Sequence, residues 1–265
     1  MKSNDLWIFL HPPRTGGNTI IETIIKKYPK EEIYLPSVTR YQKNPETFNP
    51  NKVRFMLGHA TYYGMHKLVP NKNPKYFVVL RDPAERLISH YNAKMQHEKN
   101  KISFDKWYKN QIKNEMVHVL DLKYKGSPST RIHTPNIFMP IIRKLNYKTT
   151  YFIQTLLFKI RGLNRKNDVK KLENAKKLLD ACWFVAITEK SNKDFPFLLK
   201  SMGVKNTKYV DDGVSKKIVK IDNKLRQRIY DDNPLDYELY KYALKVRELN
   251  IIKLKNNPKY KILWV

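Results

Sequence analysis

Four short apolar runs alternate along the chain with segments whose apolar residues recur at helical spacing. The runs are Leu6–His11, Val53–Leu57, Tyr76–Leu80 and Trp183–Thr188. Because these runs lack a regular polar alternation, they are typical of strands that are buried on both faces of a sheet. Helices are predicted at Thr19–Lys27, Gly64–Val69, Pro83–Gln96, Phe104–Leu122, Lys166–Leu179, Asp194–Met202 and Asp222–Leu249, the last interrupted near Asn233-Pro234. The alternation predicts an α/β fold, with a parallel sheet covered by helices on both faces.

One domain over residues 1–265 is the simplest interpretation of the length, which is near the upper limit for a single core. Pro29–Pro50 is predicted to be a surface connection, and Lys125–Thr149 is predicted to be irregular. We expect the segment of about 125–165 to contact the substrate that accepts the transferred group in the reaction inferred below. Ligands of such folds bind at the carboxyl ends of the strands, so residues that directly follow strands are the first candidates.

The formal net charge of +28, from 52 Lys+Arg against 24 Asp+Glu, favours polyanionic partners. A lysine-rich solvated surface would give the same excess, so charge alone does not choose a partner. The single cysteine, Cys182, is predicted to be a buried and inert thiol. No apolar run approaches the ~20 residues of a membrane span, and no signal peptide is recognisable. A chain that is complete as printed would be expected in the cytoplasm.

The turn after the first strand carries candidate chemistry in the stretch Phe9-Leu10-His11-Pro12-Pro13-Arg14-Thr15-Gly16-Gly17-Asn18-Thr19. Glycines let backbone N–H groups approach an anion, and the start of the following helix adds unpaired N–H groups and the positive end of its dipole. Arg14 adds positive charge, and the hydroxyls of Thr15 and Thr19 add donors. The turn predicts a phosphate-binding loop, although an ordinary strand-to-helix turn can carry the same glycines. The Walker A pattern is absent, which disfavours ATP hydrolysis.

Another candidate stretch follows the strand at Tyr76–Leu80. Arg81 leaves the end of that strand and can direct two N–H groups at one phosphate. Ser89 lies two helical turns further on and can donate to the same anion. Asp82 is a candidate N-cap of the next helix, and Arg86 is expected to pair within that helix or with Asp82. Plain ion pairing among these arginines and carboxylates is the alternative interpretation.

Together the two stretches resemble the sulfotransferases that use 3′-phosphoadenosine 5′-phosphosulfate (PAPS). The likeness is closest to the heparan sulfate 6-O-sulfotransferase-like and related bacterial carbohydrate enzymes. In that family the stretch after the first strand resembles H-I-P-K-T-G-G-T-S and binds the 5′-phosphosulfate, while the later stretch resembles L-R-D-P-V-E-R-x-x-S-H-Y and binds the 3′-phosphate. The resemblance implies a P-loop-NTPase-like fold, PAPS as donor and 3′-phosphoadenosine 5′-phosphate (PAP) as product. By residue, it implies a 5′ loop of Arg14, Thr15, Gly16, Gly17, Asn18 and Thr19, and 3′-phosphate ligands Arg81 and Ser89.

The resemblance extends to the middle of the chain, where Gly58-His59 and Gly64-Met65-His66 are similar to the family's G-H-x-x-x-G-x-H stretch with one extra residue. It implies that His59 is the catalytic base, and an imidazole whose pKa is near ~6.5 suits that role. His66 is an alternative candidate for the base. Arg14 stands where the family usually has a lysine that stabilises the departing oxygen, so it is the other catalytic candidate beside His59. Arginine is a poorer proton donor than lysine. No His/Cys cluster has metal-ligand spacing, so no metal is implied.

Several functions remain open at this point. The favoured one is in-line transfer of a sulfuryl group to a carbohydrate hydroxyl, with a protein tyrosine or a small molecule as alternative acceptors. A nucleotide kinase or NTPase would need a Walker lysine and a magnesium carboxylate after a strand, and neither is found. A basic polyanion- or nucleic-acid-binding protein without catalysis is the alternative from another class, although no recognised nucleic-acid module is visible. A glycan-binding relative without activity is a further alternative.

Overall fold

A parallel sheet organises the computed structural model, which describes residues 4–36, 48–59, 61–98, 100–122, 168–204 and 218–261. Its strands are β1 (Asp5–Leu10), β2 (Ile33–Tyr34), β3 (Phe55–Met56), β4 (Asn73–Leu80) and β5 (Phe184–Ile187). The five strands lie in the order β2-β3-β1-β4-β5, and all neighbouring pairs run parallel. β1 is therefore central, and every residue of it is buried.

Helices connect and flank the strands of this sheet. Within the described residues they are α1 (Gly17–Lys27), α2 (Pro83–His97), α3 (Phe104–Tyr108), α4 (Glu115–Val119), α5 (Asp168–Ala181), α6 (Ser191–Ser201), α7 (Asn223–Asp232), α8 (Pro234–Lys255) and α9 (Pro258–Lys261). Short 3-10 turns occur at Lys30–Glu32, Met65–Leu68 and Thr188–Lys190. The predicted acceptor-contacting segment, about 125–165, lies outside the described residues.

Successive residues of β1 pack into different cores on the two faces of the sheet, as the period-2 geometry of a strand requires. Leu6 and Ile8 pack with residues of α4, α5 and α8, whereas Trp7 and Phe9 pack with residues of α1 and α6. Buried apolar surface thus covers both faces, and the predicted α/β fold is confirmed. The prediction of four strands was wrong by one, because the two-residue β2 within Pro29–Pro50 is too short to give a sequence pattern.

The predicted helix at Phe104–Leu122 is in fact two short helices, α3 and α4. The break falls at Asn114, whose φ of 55° is left-handed and does not fit an α-helix. Its side-chain carbonyl accepts hydrogen bonds from the backbone N–H groups of Leu235 at 3.0 Å and Asp236 at 3.2 Å. The Asn114 side chain therefore binds the first turn of α8, and the helix that was predicted to pass through Asn114 is interrupted there. The predicted interruption at Asn233-Pro234 is confirmed as the junction of α7 and α8.

Arg86 is ion paired with a different helix from the one we expected. Its guanidinium is almost completely buried and donates to Glu115 of α4 at 2.7 Å, with Asp236 of α8 at 4.0 Å. Burial raises the pKa of Asp236 to about 6, although Arg86 opposes that shift. Asp82 acts as the N-cap of α2, as predicted, and accepts from the backbone N–H groups of Ala84 and Glu85. Arg86 thus links three helices below the carboxyl edge of the sheet.

Replacing Arg86 with methionine should lower the free energy of unfolding by about 3–5 kcal/mol, because Glu115 and Asp236 would be left without their buried cation. The matched control is Arg228→Met, which removes an exposed ion pair with Asp105 at 2.6 Å. Exposed pairs contribute at most about 1 kcal/mol. Urea denaturation of both variants at neutral pH measures the difference. Equal, small losses in both variants would contradict the structural role given to Arg86.

Candidate functional site

A cavity of about 730 Å³ opens where β1, β3, β4 and β5 end, and it is large enough for a nucleotide. Residues that follow each of these strands line it, as expected for an open parallel sheet. The predicted site residues on its surface are Arg14, Gly16, Gly17, Asn18, Thr19, His59, Arg81 and Ser89. The two stretches that the sequence singled out, about 65 residues apart, therefore face one shared cavity.

The glycine turn contains two residues in left-handed backbone geometry, which is usual for glycine and uncommon for arginine. Arg14 and Gly16 have φ values of 67° and 79°, in the left-handed region. Gly16 is the N-cap of α1 and has no side chain with which to cap the first turn. The N-terminal N–H groups of α1 are therefore directed at the cavity without a side-chain acceptor from the cap, an arrangement that suits an anion.

The hydroxyl of Thr15 makes a structural contact, and the expected ligand role of this residue stays a prediction. Its side chain is fully buried and does not line the cavity. The hydroxyl donates to the carbonyl of Pro12 at 2.9 Å, and the Thr15 carbonyl accepts from the Thr188 hydroxyl at 2.8 Å. The sequence could not show this, because the same hydroxyl could equally point outward. Thr15 thus holds the turn in shape, and its hydroxyl is already committed to the protein backbone.

Arg14 and Ser89 connect the two stretches directly. A guanidinium nitrogen of Arg14 donates to the Ser89 hydroxyl at 3.0 Å, across 75 residues of sequence. Both side chains are only partly buried. The loop after β1 and the second turn of α2 are therefore in direct contact, and both face the same cavity.

Arg81 lines the cavity, and its ion pairs with the described residues are long. Its guanidinium lies 4.0 Å from Glu85 and 3.9 Å from Glu189, beyond hydrogen-bond distance. Its Nε is buried and makes no hydrogen bond within the described part of the chain. Arg226 of α7 takes the nearby carboxylates instead, at 2.5 Å from Glu85 and 3.1 Å from Asp82. Arg81 is thus a cation whose nearest acids are engaged elsewhere.

His59 lies at the end of β3 and also lines the cavity. Its Nδ1 is 2.9 Å from the carbonyl oxygen of His11. Since a carbonyl can only accept, Nδ1 carries the proton in the neutral ring, and the lone pair is then on Nε2. Burial lowers the pKa of His59, and Arg14 lowers it further, although the hydrogen bond to His11 opposes both. His59 is therefore neutral at physiological pH and in the tautomer that a base requires.

The other described histidines have different surroundings. The Nδ1 of His66 lies 2.9 Å from the hydroxyl of Tyr76, and the ring does not line the cavity. Burial lowers the pKa of His90 to about 4, and its ring packs against Trp107. His118 lies 3.9 Å from Asp168. The geometry therefore favours His59 over His66 as a base.

Further cavity residues were not predicted from the sequence. They are Asn92, Thr188, Glu189, Lys220, Arg226 and Tyr240, among others. Thr188 and Glu189 follow β5 directly, so the rule that ligands bind at strand ends could have identified them. Lys220 and Arg226 come from the segment before and within α7, where no sequence pattern marks a site. Their position depends on the long-range packing of α7 against α2.

A profile of the sulfotransferase family matches residues 8–243. The chain therefore belongs to the sulfotransferase family, as its two motifs indicated. It is 42% identical over 57 residues to heparan sulfate 2-O-sulfotransferase 1 of Mus musculus, covering 22% of this chain and 16% of that protein. It is 32% identical over 93 residues to a protein-tyrosine sulfotransferase of Arabidopsis thaliana, covering 35% of this chain and 18% of that one. The chain thus spans less than a fifth of the length of these curated relatives.

Among solved structures, the mouse sulfotransferase SULT7A1 complexed with PAP matches over 90% of this chain and 89% of its own, at 13% identity and a TM-score of 0.29.

The described residues contain no group of three or more His, Cys, Asp or Glu side chains placed to hold a metal ion. Within the same residues, no helix combines the length and the apolar character needed to cross a bilayer.

Gly17→Ala should destabilise the protein, although alanine is the better helix former by about 1 kcal/mol. A Cβ at this position would lie 2.4 Å from Phe9 Cζ and 2.5 Å from His11 Nε2, and both rings are buried. Overpacking of this kind costs about 1–3 kcal/mol, which exceeds the gain in propensity. Thermal denaturation without ligand measures the effect, with the neighbouring Asn18→Ala as control. An unchanged or raised melting temperature for Gly17→Ala would contradict this close approach.

Proposed function

We propose that the protein transfers a sulfuryl group from PAPS to a hydroxyl of a carbohydrate. The observation that carries the proposal is the shared cavity, in which Arg14 of the glycine turn is hydrogen bonded to Ser89 beside Arg81. A donor with an anionic group at each end of its ribose needs two such anion sites at a fixed separation. A protein that merely binds polyanions through surface lysines does not need two anion sites at a fixed separation.

In this proposal the 5′-phosphosulfate binds at the turn, where the start of α1 and Arg14 supply positive charge. The 3′-phosphate binds Arg81 and Ser89. The guanidinium of Arg81 would exchange its long contacts with Glu85 and Glu189 for short charge-assisted hydrogen bonds. Arg226 supports this exchange because it neutralises Glu85 and Asp82, which would otherwise repel a phosphate. The donor would therefore lie across the carboxyl end of the central strand.

The chemical step is an in-line displacement at sulfur. Nε2 of His59 accepts the proton of the acceptor hydroxyl while the hydroxyl oxygen forms a bond to sulfur. The bond from sulfur to the 5′-phosphate oxygen breaks, and PAP leaves with the electron pair of that bond. Arg14 and the N-terminus of α1 stabilise the negative charge that develops on the sulfuryl and departing oxygens. His59 then releases its proton to solvent, which its lowered pKa favours.

A carbohydrate acceptor is supported by the similarity to heparan sulfate 2-O-sulfotransferase 1 and by the net charge of +28, which attracts acidic glycans. A protein tyrosine is the other candidate, because the match to a protein-tyrosine sulfotransferase covers more of this chain. Parallel assays with a desulfated glycosaminoglycan and with an acidic tyrosine peptide separate the two. Transfer to the peptide alone would overturn the carbohydrate assignment and leave the donor site intact.

Calorimetry should show that PAP binds at least about 10–100-fold more tightly than AMP, since even one charge-assisted hydrogen bond to the 3′-phosphate contributes about 1.5–3 kcal/mol. Arg81→Ala should remove most of this preference by weakening PAP and leaving AMP little changed. Arg228→Ala, which removes an exposed arginine that does not line the cavity, is the control and should keep it. Equal affinities of the wild type for PAP and AMP would rule out the proposed donor site.

His59→Ala should reduce sulfuryl transfer by about 10²–10⁴-fold, the usual contribution of a general base, while PAP still binds. His66→Ala, at the rejected candidate, should retain turnover. Because the neutral ring is the active form and burial lowers its pKa, wild-type kcat/KM for the acceptor should persist as pH falls past about 6.5, the ordinary histidine value, and decline only below the lowered pKa. Release of PAP from PAPS measures both effects. Loss of turnover in the His66 variant with retention in the His59 variant would reverse the assignment.

A further inference from the structure

A column of four stacked rings runs from the core of the sheet to the proposed base. The rings of Phe77 and Phe9 have centroids 4.6 Å apart and lie 9° from parallel. Phe9 and His11 are 4.6 Å apart at 18°, and His11 and His59 are 4.1 Å apart at 19°. Phe77 and Phe9 are fully buried and His11 nearly so. The last two rings, His11 and His59, line the cavity, and His59 is the more exposed of the two.

His11 contacts the proposed base in two independent ways. Its ring packs face to face on the His59 ring, which fixes the plane of that ring. Its main-chain carbonyl accepts the Nδ1 proton of His59 at 2.9 Å, which fixes the rotation of the ring within that plane. With both constraints, the direction of Nε2 is set by a residue of the loop after β1.

The place of His11 is in turn fixed by the glycine turn. The ring edge of His11 lies so close to Gly17 that a Cβ there would meet its Nε2 at 2.5 Å. The Nδ1 of His11 is buried and has no hydrogen-bond partner among the described residues. A nitrogen left without a partner is an energetic cost, so packing alone does not account for a histidine here.

We propose that His11 is a positioning residue that aligns His59 for proton abstraction. The inference rests on the proposed function only through the role of His59 as base. The arrangement also depends on a neutral His11. Burial, and to a smaller extent the charge of His59, hold the pKa of His11 well below its usual range. A neutral ring can remain stacked when His59 takes up the acceptor proton, whereas a second cation at 4.1 Å would be repelled.

His11→Ala tests the inference, because it removes the stacked ring and keeps the main-chain carbonyl. We expect kcat for sulfuryl transfer to fall by about 10–100-fold through misalignment of the base, with the KM for PAPS changed by less than about 3-fold. Leu6→Ala is the control, since Leu6 is fully buried in β1 and packs on the opposite face of the sheet. It should lose stability as well but keep kcat. A kcat for His11→Ala equal to that of Leu6→Ala would overturn the inference.

Chemical rescue separates stacking from acid–base chemistry. His11 lines the cavity, so a small aromatic ring added to His11→Ala can reach the vacated space. Imidazole and pyrazole, of which pyrazole is far less basic, should both restore kcat in the millimolar range and should have no effect on Leu6→Ala. Failure of both rings to rescue would contradict the stacking role. Rescue by imidazole alone would show that His11 transfers protons, and would also contradict it.

A nitrogen NMR measurement decides the same point without turnover. In ¹⁵N-histidine-labelled wild type, His59 should show the tautomer protonated on Nδ1, with narrow ring resonances. In His11→Ala the retained main-chain carbonyl should keep that tautomer, but the ring resonances of His59 should broaden because the ring has lost its stacking partner. Ring resonances of His59 that stay as narrow in His11→Ala as in the wild type would overturn the inference. Failure of the wild type to transfer sulfate would defeat the proposed function, but the NMR measurement would still decide the contact between the two histidines.

Discussion

The hydroxyl of Thr188 joins the ends of three strands at the floor of the cavity. It lies 2.8 Å from the carbonyl oxygen of Thr15, in the turn after β1, and 3.0 Å from that of Leu80, the last residue of β4. It carries one proton, so it donates to one carbonyl at a time and keeps both within reach. Thr188 itself follows β5 directly. Without this group, two carbonyls at a buried edge would need water, and the turn would no longer be held against the end of the sheet.

Electrostatics at this edge depend on which acid each cation contacts. Arg226 donates hydrogen bonds to the carboxylates of Asp82 and Glu85, which lie in the motif that follows β4. Asp82 also accepts from the backbone N–H of Ala84 as the N-cap of α2. Arg81 is thereby left with ion pairs close to 4 Å, which a phosphate can displace. Arg86, five residues later and within α2, is buried in the interior and ion paired with Glu115. Two arginines close in sequence therefore have different surroundings, one in the interior between helices and one facing the cavity.

Much of the fold and part of the site could be predicted from the sequence, and the reasons differ by residue. The strands of the central sheet are apolar runs, so burial on both faces revealed them. Arg81 and His59 follow strand ends, where position alone marks a candidate. Asn114 was missed because its left-handed backbone depends on hydrogen bonds to α8, 121 and 122 residues away. The contact made by the Thr15 hydroxyl was not foreseen and Thr188 was missed for the same reason: whether a hydroxyl faces a cavity or a carbonyl is decided by the folded structure around it.

Cys182, directly after α5, is the chain's one thiol. It is buried, and its burial raises the pKa of the thiol well above the usual range. A protonated, covered sulfur does not react with alkylating reagents. Modification of Cys182 therefore requires the region between α5 and β5 to open. The rate of thiol labelling thus measures local unfolding of this region without an engineered probe. Because Cys182 packs in the same core as the α8 side chains, the labelling rate would also increase when α8 loosens.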